Sequence, residues 1–439
     1  MNVVEQFYDQ KKCLKNLSLN ALEIFDLGSL LADDITLFLA FGIRPYAFFK
    51  MLIQGLFDDT FFEFEEIYDG SILIFNSNAY SNRMDYKISH KNIKKIIDNT
   101  ISGYERKKWK ISKSVFRNFY LMVNWNRKLK KVRFPSSERY FIIKRLLKCY
   151  KFYVFLKQKN SELSHLGGVV FQFDGLDTEN LFSQYCNAIG IPTFTLQHGH
   201  FHHTEFIDET NYFISVPFEG FVSDYFLAWG EYTKREAIRN GINEKKILEV
   251  GSLKTDYPPL RNSGCTKIFG VILNGTLGYI ENAYLIDFAE KIYKKYGYRY
   301  ILRPHPTKST QDFLKPDHKG FLEESNSKVE SIYDFAGQVD FCLCGNSSVF
   351  TELIFWGKPA ITLKPKHSIN TYEEIGMLSF SDENELWAIL DLLIFDKNSF
   401  DNEMNRCKQL FFCTGNISET YQRAILGMIM ERRMEKNGN

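Results

Sequence analysis

A chain of 439 residues, 44% hydrophobic and 25% charged, has the composition of a soluble globular protein and is too long for one ordinary core. Eight scattered cysteines without a CxxC pair exclude a disulfide framework and a cysteine zinc site, and fit reduced thiols. The amino-terminal MNVVEQFYDQKK carries charge where a signal peptide needs an apolar core. The most apolar stretch, Ile35 to Phe49, is broken by Arg44 and Pro45, so a cytoplasmic protein without a spanning helix is expected.

In chain order, residues 1–66 read as helical. Ser71-Ile-Leu-Ile-Phe75, bounded by Asp69-Gly70 and Asn76-Ser77, reads as a buried strand. Helices are expected from there to about residue 160, with a basic helical segment over 104–160. Gly167 to Phe173 is a second buried strand, ending in Asp174-Gly175. A helix over 178–188 then leads through Gly190 into the strand Ile191 to Leu196, which ends in Gln197-His198-Gly199-His200. Strand, helix, glycine turn and strand make a βαβ unit, whose strands are parallel. Strands follow at 225–229 and 247–250, and the Pro- and Gly-containing stretch 252–266 is the linker candidate. The second half repeats the alternation, with strands at 268–273, 298–302, 340–344 and 359–363 and helices at 281–296, 349–356, 384–395 and 417–435. The expectation is an α/β protein of two Rossmann-like domains, 1–255 and 256–439, facing across a cleft.

The net charge of +2 hides an imbalance. Arg106 to Lys159 holds eighteen basic residues against one acid, Glu138, a local net of +17 that leaves −15 on the rest. Aromatics run through it, among them Trp109, Phe116, Phe119, Tyr120 and Trp125. A basic amphipathic helix with such residues suits an anionic membrane surface or a lipid-linked phosphate acceptor. The bland alternative is a solvated basic face. Nucleic acid is not expected, because no motif for it accompanies the charge.

Five groups of residues at strand ends can carry chemistry. Arg303-Pro-His305-Pro306 combines a forked cation suited to phosphate with a histidine able to donate to it, on a loop stiffened by two prolines. Gly345-Asn346-Ser347-Ser348 opens a helix, where the serines can cap or bind phosphate, and Glu352 lies one turn on to accept from sugar hydroxyls. Asn274 and Gly275 end the strand between the linker and these loops and join the donor-binding set. Gln197-His198-Gly199-His200, with His202, His203 and Glu205, gathers histidines without zinc-protease spacing, so no metal is expected and His198 is a candidate catalytic group. Asp174 is the other candidate for a general base.

The ordered set Gln197-His-Gly199, Leu227-Ala-Trp-Gly230, Val250-Gly251, Arg303-Pro-His-Pro306, Gly345-Asn-Ser-Ser348 with Glu352, Gly357-Lys-Pro359 and Gly415-Asn-Ile-Ser-Glu419 resembles bacterial surface-polysaccharide transferases of the GT-B fold. By motif it is similar to CDP-glycerol glycerophosphotransferases of teichoic acid synthesis and to capsule Kdo and polysialic acid transferases. The resemblance spans about residues 165–430. It implies that His305, Ser347 and Ser348 bind the phosphates of a nucleotide-activated donor, and that the amino-terminal domain takes a glycan or lipid-linked acceptor at the inner face of the cell membrane. It implies no cofactor, and inversion at the transferred carbon. Two departures stand out. Gln197-His-Gly-His200 replaces a His-Gly-Thr pattern, and Asp174 stands alone where sialyltransferases carry an acidic pair.

Overall fold

The continuous apolar runs are strands buried on both faces, as parallel sheets require. A computed structural model describes residues 3–19, 21–41, 60–77, 84–107, 115–132, 134–199, 216–255, 258–260, 266–275, 281–305, 314–345, 347–364, 375–413 and 415–437. Its strands in chain order are β1 Thr60–Phe64, β2 Ile72–Asn76, β3 Thr100–Lys107, β4 Gly168–Phe171, β5 Thr193–Leu196, β6 Tyr225–Ala228 and β7 Ile247–Glu249. Then follow β8 Ile268–Ile272, β9 Arg299–Arg303, β10 Phe321–Glu324, β11 Cys342–Cys344, β12 Ala360–Leu363 and β13 Ser379–Phe380. No helix among the described residues is long and apolar enough to cross a membrane.

The chain divides into two compact units. The first comprises Met1–Ala228, Lys234–Gly251 and Gly415–Asn439, and the second Trp229–Thr233 and Ser252–Thr414. The sequence boundary at 255/256 gave the last helix, Ile417–Asn437, to the second unit. It packs instead with the first, because Tyr421 donates to the Gly251 carbonyl, Gln422 donates to the Ile96 carbonyl at 2.6 Å and Arg432 pairs with Asp224 at 2.6 Å.

The first unit is built on a seven-stranded sheet in the order β1-β3-β2-β4-β5-β6-β7. All neighbours are parallel except β1 and β3, which run antiparallel with Phe62 opposite Glu105. From β3 to β6 this is the flavodoxin-like order 2-1-3-4-5, extended by β7, and its direction of winding reverses between β2 and β4. β1 and β3 correct two expectations: residues 60–64 are not helical, and 104–107 of the basic segment are strand. β1 lies at the sheet edge with β3 beside it, and both mix polar with apolar residues, which hides them among helical spacings. Beneath the sheet Phe62, Phe75 and Phe182 close around Phe152, with Phe62 stacked on it at 4.0 Å.

Helices Val115–Leu129 and Ser136–Gln158 carry the basic segment. Several of its cations are consumed internally. Arg145 pairs with Asp34 at 3.1 Å and with Asp177 at 3.2 Å, and Lys148 pairs with Glu105 at 3.0 Å and Asp177 at 3.1 Å. Asp34, Glu105 and Asp177 are all buried.

The second unit holds a six-stranded, all-parallel sheet in the order β10-β9-β8-β11-β12-β13. Counted within the unit this is 3-2-1-4-5-6, the Rossmann order. Its winding reverses between β8 and β11, and the crevice at the carboxyl ends of those two strands is where such sheets take ligands.

Candidate functional site

Three of the sequence-predicted loops meet at that reversal in the second unit. Asn274 and Gly275 leave β8, His305 follows β9, and Gly345 leaves β11. A β-carbon at Gly275 would lie 3.3 Å from the His305 ring, so the imidazole rests on bare backbone. A β-carbon at Gly345 would overlap the Asn274 amide, so only glycine admits Asn274 there. Asn274 is itself fixed on three sides. Its N–H donates to Asn282 at 2.7 Å, its carbonyl accepts from the Asn282 amide at 3.1 Å, and its own amide donates to Glu281 at 3.0 Å. Glu281 and Asn282 open helix Glu281–Tyr296. Burial pushes the Glu281 carboxyl up to about 7, against the pull of the Asn274 amide.

Ser347 and Ser348 begin helix Val349–Phe355. Ser347 accepts from the Val349 N–H at 3.3 Å, while Ser348, at the cap position, makes no side-chain capping bond. Asn346 and Pro306 lie outside the described residues, as do His200, His202, His203 and Glu205 of the histidine-rich loop.

Arg303 is a correction. It is only 7% exposed and its fork is spent within the fold. Nη1 donates to Ser325 at 2.9 Å and to Glu330 at 3.1 Å, Nη2 donates to the Glu330 carbonyl at 2.7 Å, and the guanidinium lies 5.2 Å from the Phe335 ring centre. Burial lowers its pKa below the ordinary value and Glu330 opposes that shift. Three of its donors are thus committed to Ser325 and Glu330, and Arg303 anchors the strand end that presents His305. Glu352 is a second correction. It is buried beside Lys254, 3.4 Å away, whose ammonium also lies 5.6 Å from the Trp229 ring centre, so its carboxylate neutralises a buried cation.

In the first unit the equivalent reversal, between β2 and β4, is already occupied. Glu179, fully buried, accepts from the Ser77 N–H at 3.2 Å and the Phe173 N–H at 2.9 Å. These are the amides that a bound anion would use. Burial pushes this carboxyl up to about 8, against the same N–H groups. The protein's own side chain thus fills the crevice that the second unit leaves to glycine, asparagine and histidine.

Asp174 is the third correction. It is 1% exposed, in a pocket lined by Phe173, Phe218, Phe221, Phe226 and Ile242. Its Oδ2 accepts from the N–H groups of Val222 at 3.0 Å and Ser223 at 2.7 Å. Burial raises its pKa, partly offset by Ser223, Val222 and Thr195. A carboxyl so enclosed ties the strand end to the 222–223 turn and is shut away from an acceptor hydroxyl. His198, just past the end of β5, is half-buried with its ring centre 4.4 Å from that of Phe173 and its Nδ1 buried.

Sequence reasoning passed over Glu281, Asn282, Lys254, Glu330 and Glu179. A Glu-Asn pair opening a helix shortly after an Asn-Gly strand end was a usable signal for the first two. Lys254 and Glu330 act through contacts distant in sequence, and Glu179 joins the nearby Phe173 N–H to that of Ser77, 102 residues away.

No family model matches the sequence, and no curated protein matches it. Solved structures do resemble the fold. The UDP-GlcNAc 2-epimerase of Methanocaldococcus jannaschii, in complex with UDP-GlcNAc and UDP, aligns with a TM-score of 0.50 at 16% identity, over 81% of this chain and 99% of that one. S. aureus MnaA, solved with UDP, aligns with a TM-score of 0.50 at 12% identity, over 82% and 97%. The wall teichoic acid polymerase TagF aligns at 0.45 and 12% identity, over 83% and 90%. With the strand orders above, the first two likenesses establish the fold: a protein of two Rossmann-like α/β units, the GT-B type.

Proposed function

We propose that this protein is a glycosyltransferase that moves a sugar from a nucleotide-activated donor to a growing bacterial surface polysaccharide of capsule, lipopolysaccharide or teichoic acid type. The observation that carries the reading is the convergence of Asn274, Gly275, His305 and Gly345 at the winding reversal of the second sheet. The donor diphosphate takes this crevice, with Ser347 and Ser348 at its edge. The acceptor oxygen attacks the anomeric carbon and forms the new C–O bond, while the bond from that carbon to the diphosphate oxygen breaks. The diphosphate leaves with the bonding pair, its charge met by the His305 ring, and the acceptor proton passes to a general base; among the residues of the first unit His198 is the candidate. Attack opposite the leaving group inverts the centre, and no metal is assigned a part. Transfer of a polyol phosphate uses the same donor crevice with attack at phosphorus.

The likeness to UDP-GlcNAc 2-epimerases favours one second reading, epimerisation of the nucleotide sugar itself. A thermal-shift screen of CMP-, CDP-, UDP- and GDP-linked compounds, followed by product analysis, separates them. Stabilisation by one donor with a new product only when a glycan acceptor is added supports transfer. An epimerised nucleotide sugar formed without acceptor supports the alternative, and no shift with any compound overturns both.

The donor crevice also has an expected pH dependence. A bound diphosphate adds to the cost of ionising Glu281, whose carboxyl titrates near 7. Binding therefore favours the protonated form, and affinity should fall as pH rises through about 7. Glu281→Gln keeps an oxygen for the Asn274 amide and should flatten that profile in calorimetric titrations. An unchanged profile would remove Glu281 from the donor crevice.

A further inference from the structure

The basic segment has one face that the fold leaves uncovered. On helix Val115–Leu129, Asn118, Leu121, Met122, Trp125 and Leu129 are buried. On the other side Phe116 is 91% exposed, Phe119 55% and Tyr120 67%. Positions 116, 119 and 120 are spaced i, i+3 and i+4, so the rings share one stripe. That stripe runs on, one helical repeat past Tyr120, to Arg127. Arg117, Arg127, Lys130 and Lys131 are exposed, and residues 115–132 contain five basic residues and no acid. The companion helix Ser136–Gln158 differs: its Arg145 and Lys148 are half-buried and paired with buried carboxylates.

We propose that the outward face of helix Val115–Leu129 is a docking surface for an anionic phospholipid bilayer, with Phe116, Phe119 and Tyr120 entering the headgroup region and Arg127, Lys130 and Lys131 resting on lipid phosphates. Three large rings left in water on one face of a small helix are costly unless something apolar receives them. Rings that seat at the level of the headgroups, beside cations that pair with the phosphates, match the layered chemistry of a bilayer surface. Single-stranded nucleic acid prefers cations interleaved with its stacking rings along the path of the backbone. Here the rings gather at one end of the helix and most of the cations at the other. The surface extends the proposed reading by bringing the protein to a membrane-linked acceptor, but its test reads lipid alone.

The full-length protein is sedimented with phosphatidylcholine vesicles and with vesicles also containing phosphatidylglycerol. Binding to the second, weakened by salt, is expected. Phe116→Ser, Phe119→Ser and Tyr120→Ser together should weaken it by about tenfold or more, because most of the inserted apolar area is removed. The melting temperature and the donor-induced thermal shift should stay as in the parent, which separates failure of this surface from failure of the enzyme reading. Arg127→Glu with Lys130→Glu and Lys131→Glu should weaken binding and reverse its salt dependence. Equal partition of the triple serine variant and the parent would overturn the proposal. So would tighter binding to single-stranded RNA than to anionic vesicles, or a change in oligomeric state of the serine variant without lipid.

Discussion

His305→Ala is expected to reduce sugar transfer by roughly 10²–10³-fold, the usual cost of removing one preorganised donor to developing charge, while the melting temperature stays near that of the parent. The ring is half-buried above Gly275, and its loss opens space to solvent without leaving a cavity in the core. Pro304 precedes it and Arg303 ties the strand end beneath it to Glu330, so the loop should keep its path without the ring. Turnover at saturating donor, measured beside a melting curve, checks the result. A variant that unfolds would assign His305 to the fold. A folded variant with near-parent turnover would remove it from the reaction.

Lys148→Met should cost the first unit about 3–5 kcal/mol, because it strips the cation from a buried acidic cluster. Asp177 and Glu105 both face the ammonium, at 3.1 and 3.0 Å. Burial alone would raise the Asp177 carboxyl, yet Lys148, Arg145 and the Thr178 N–H hold it well below the usual carboxylate range. Methionine matches the length of the lysine stem and leaves Asp177 to Arg145 and the Thr178 N–H, and Glu105 to the Thr178 hydroxyl. Urea unfolding of the variant, with Lys148→Arg as the charge-preserving control, measures the loss. A loss under about 1 kcal/mol in the methionine variant would mean that water or a local shift neutralises the cluster.

Much of the frame could be read before folding. Runs such as Ile72–Phe75, Val169–Phe171 and Cys342–Cys344 announce strands because a parallel sheet is buried on both faces and needs no alternation. Gly190, at φ +76°, marks the end of helix Asp177–Ile189 by conformational necessity. The edge strand β1 and its neighbour β3 escaped because they mix charge with apolar residues. At the site, the residue types were right and their partners invisible. Arg303 looks like a phosphate ligand until Glu330, 27 residues on, is seen to occupy it. Asp174 looks like a base until its apolar enclosure is seen. The basic segment reads as one uniform patch, although Arg145 and Lys148 answer acids that the chain supplies from Asp34, Glu105 and Asp177. In each case a long-range contact decides whether a charged side chain faces the solvent or the fold.

The return of helix Ile417–Asn437 to the first unit bears on the order of synthesis. That unit must wait, short of Tyr421, Gln422 and Arg432, until the whole second unit has left the ribosome. Asp224 emerges some 208 residues ahead of Arg432 and holds no such partner meanwhile. The carboxyl-terminal Rossmann unit, whose sheet is complete by residue 380, can close first, and the amino-terminal unit is sealed last.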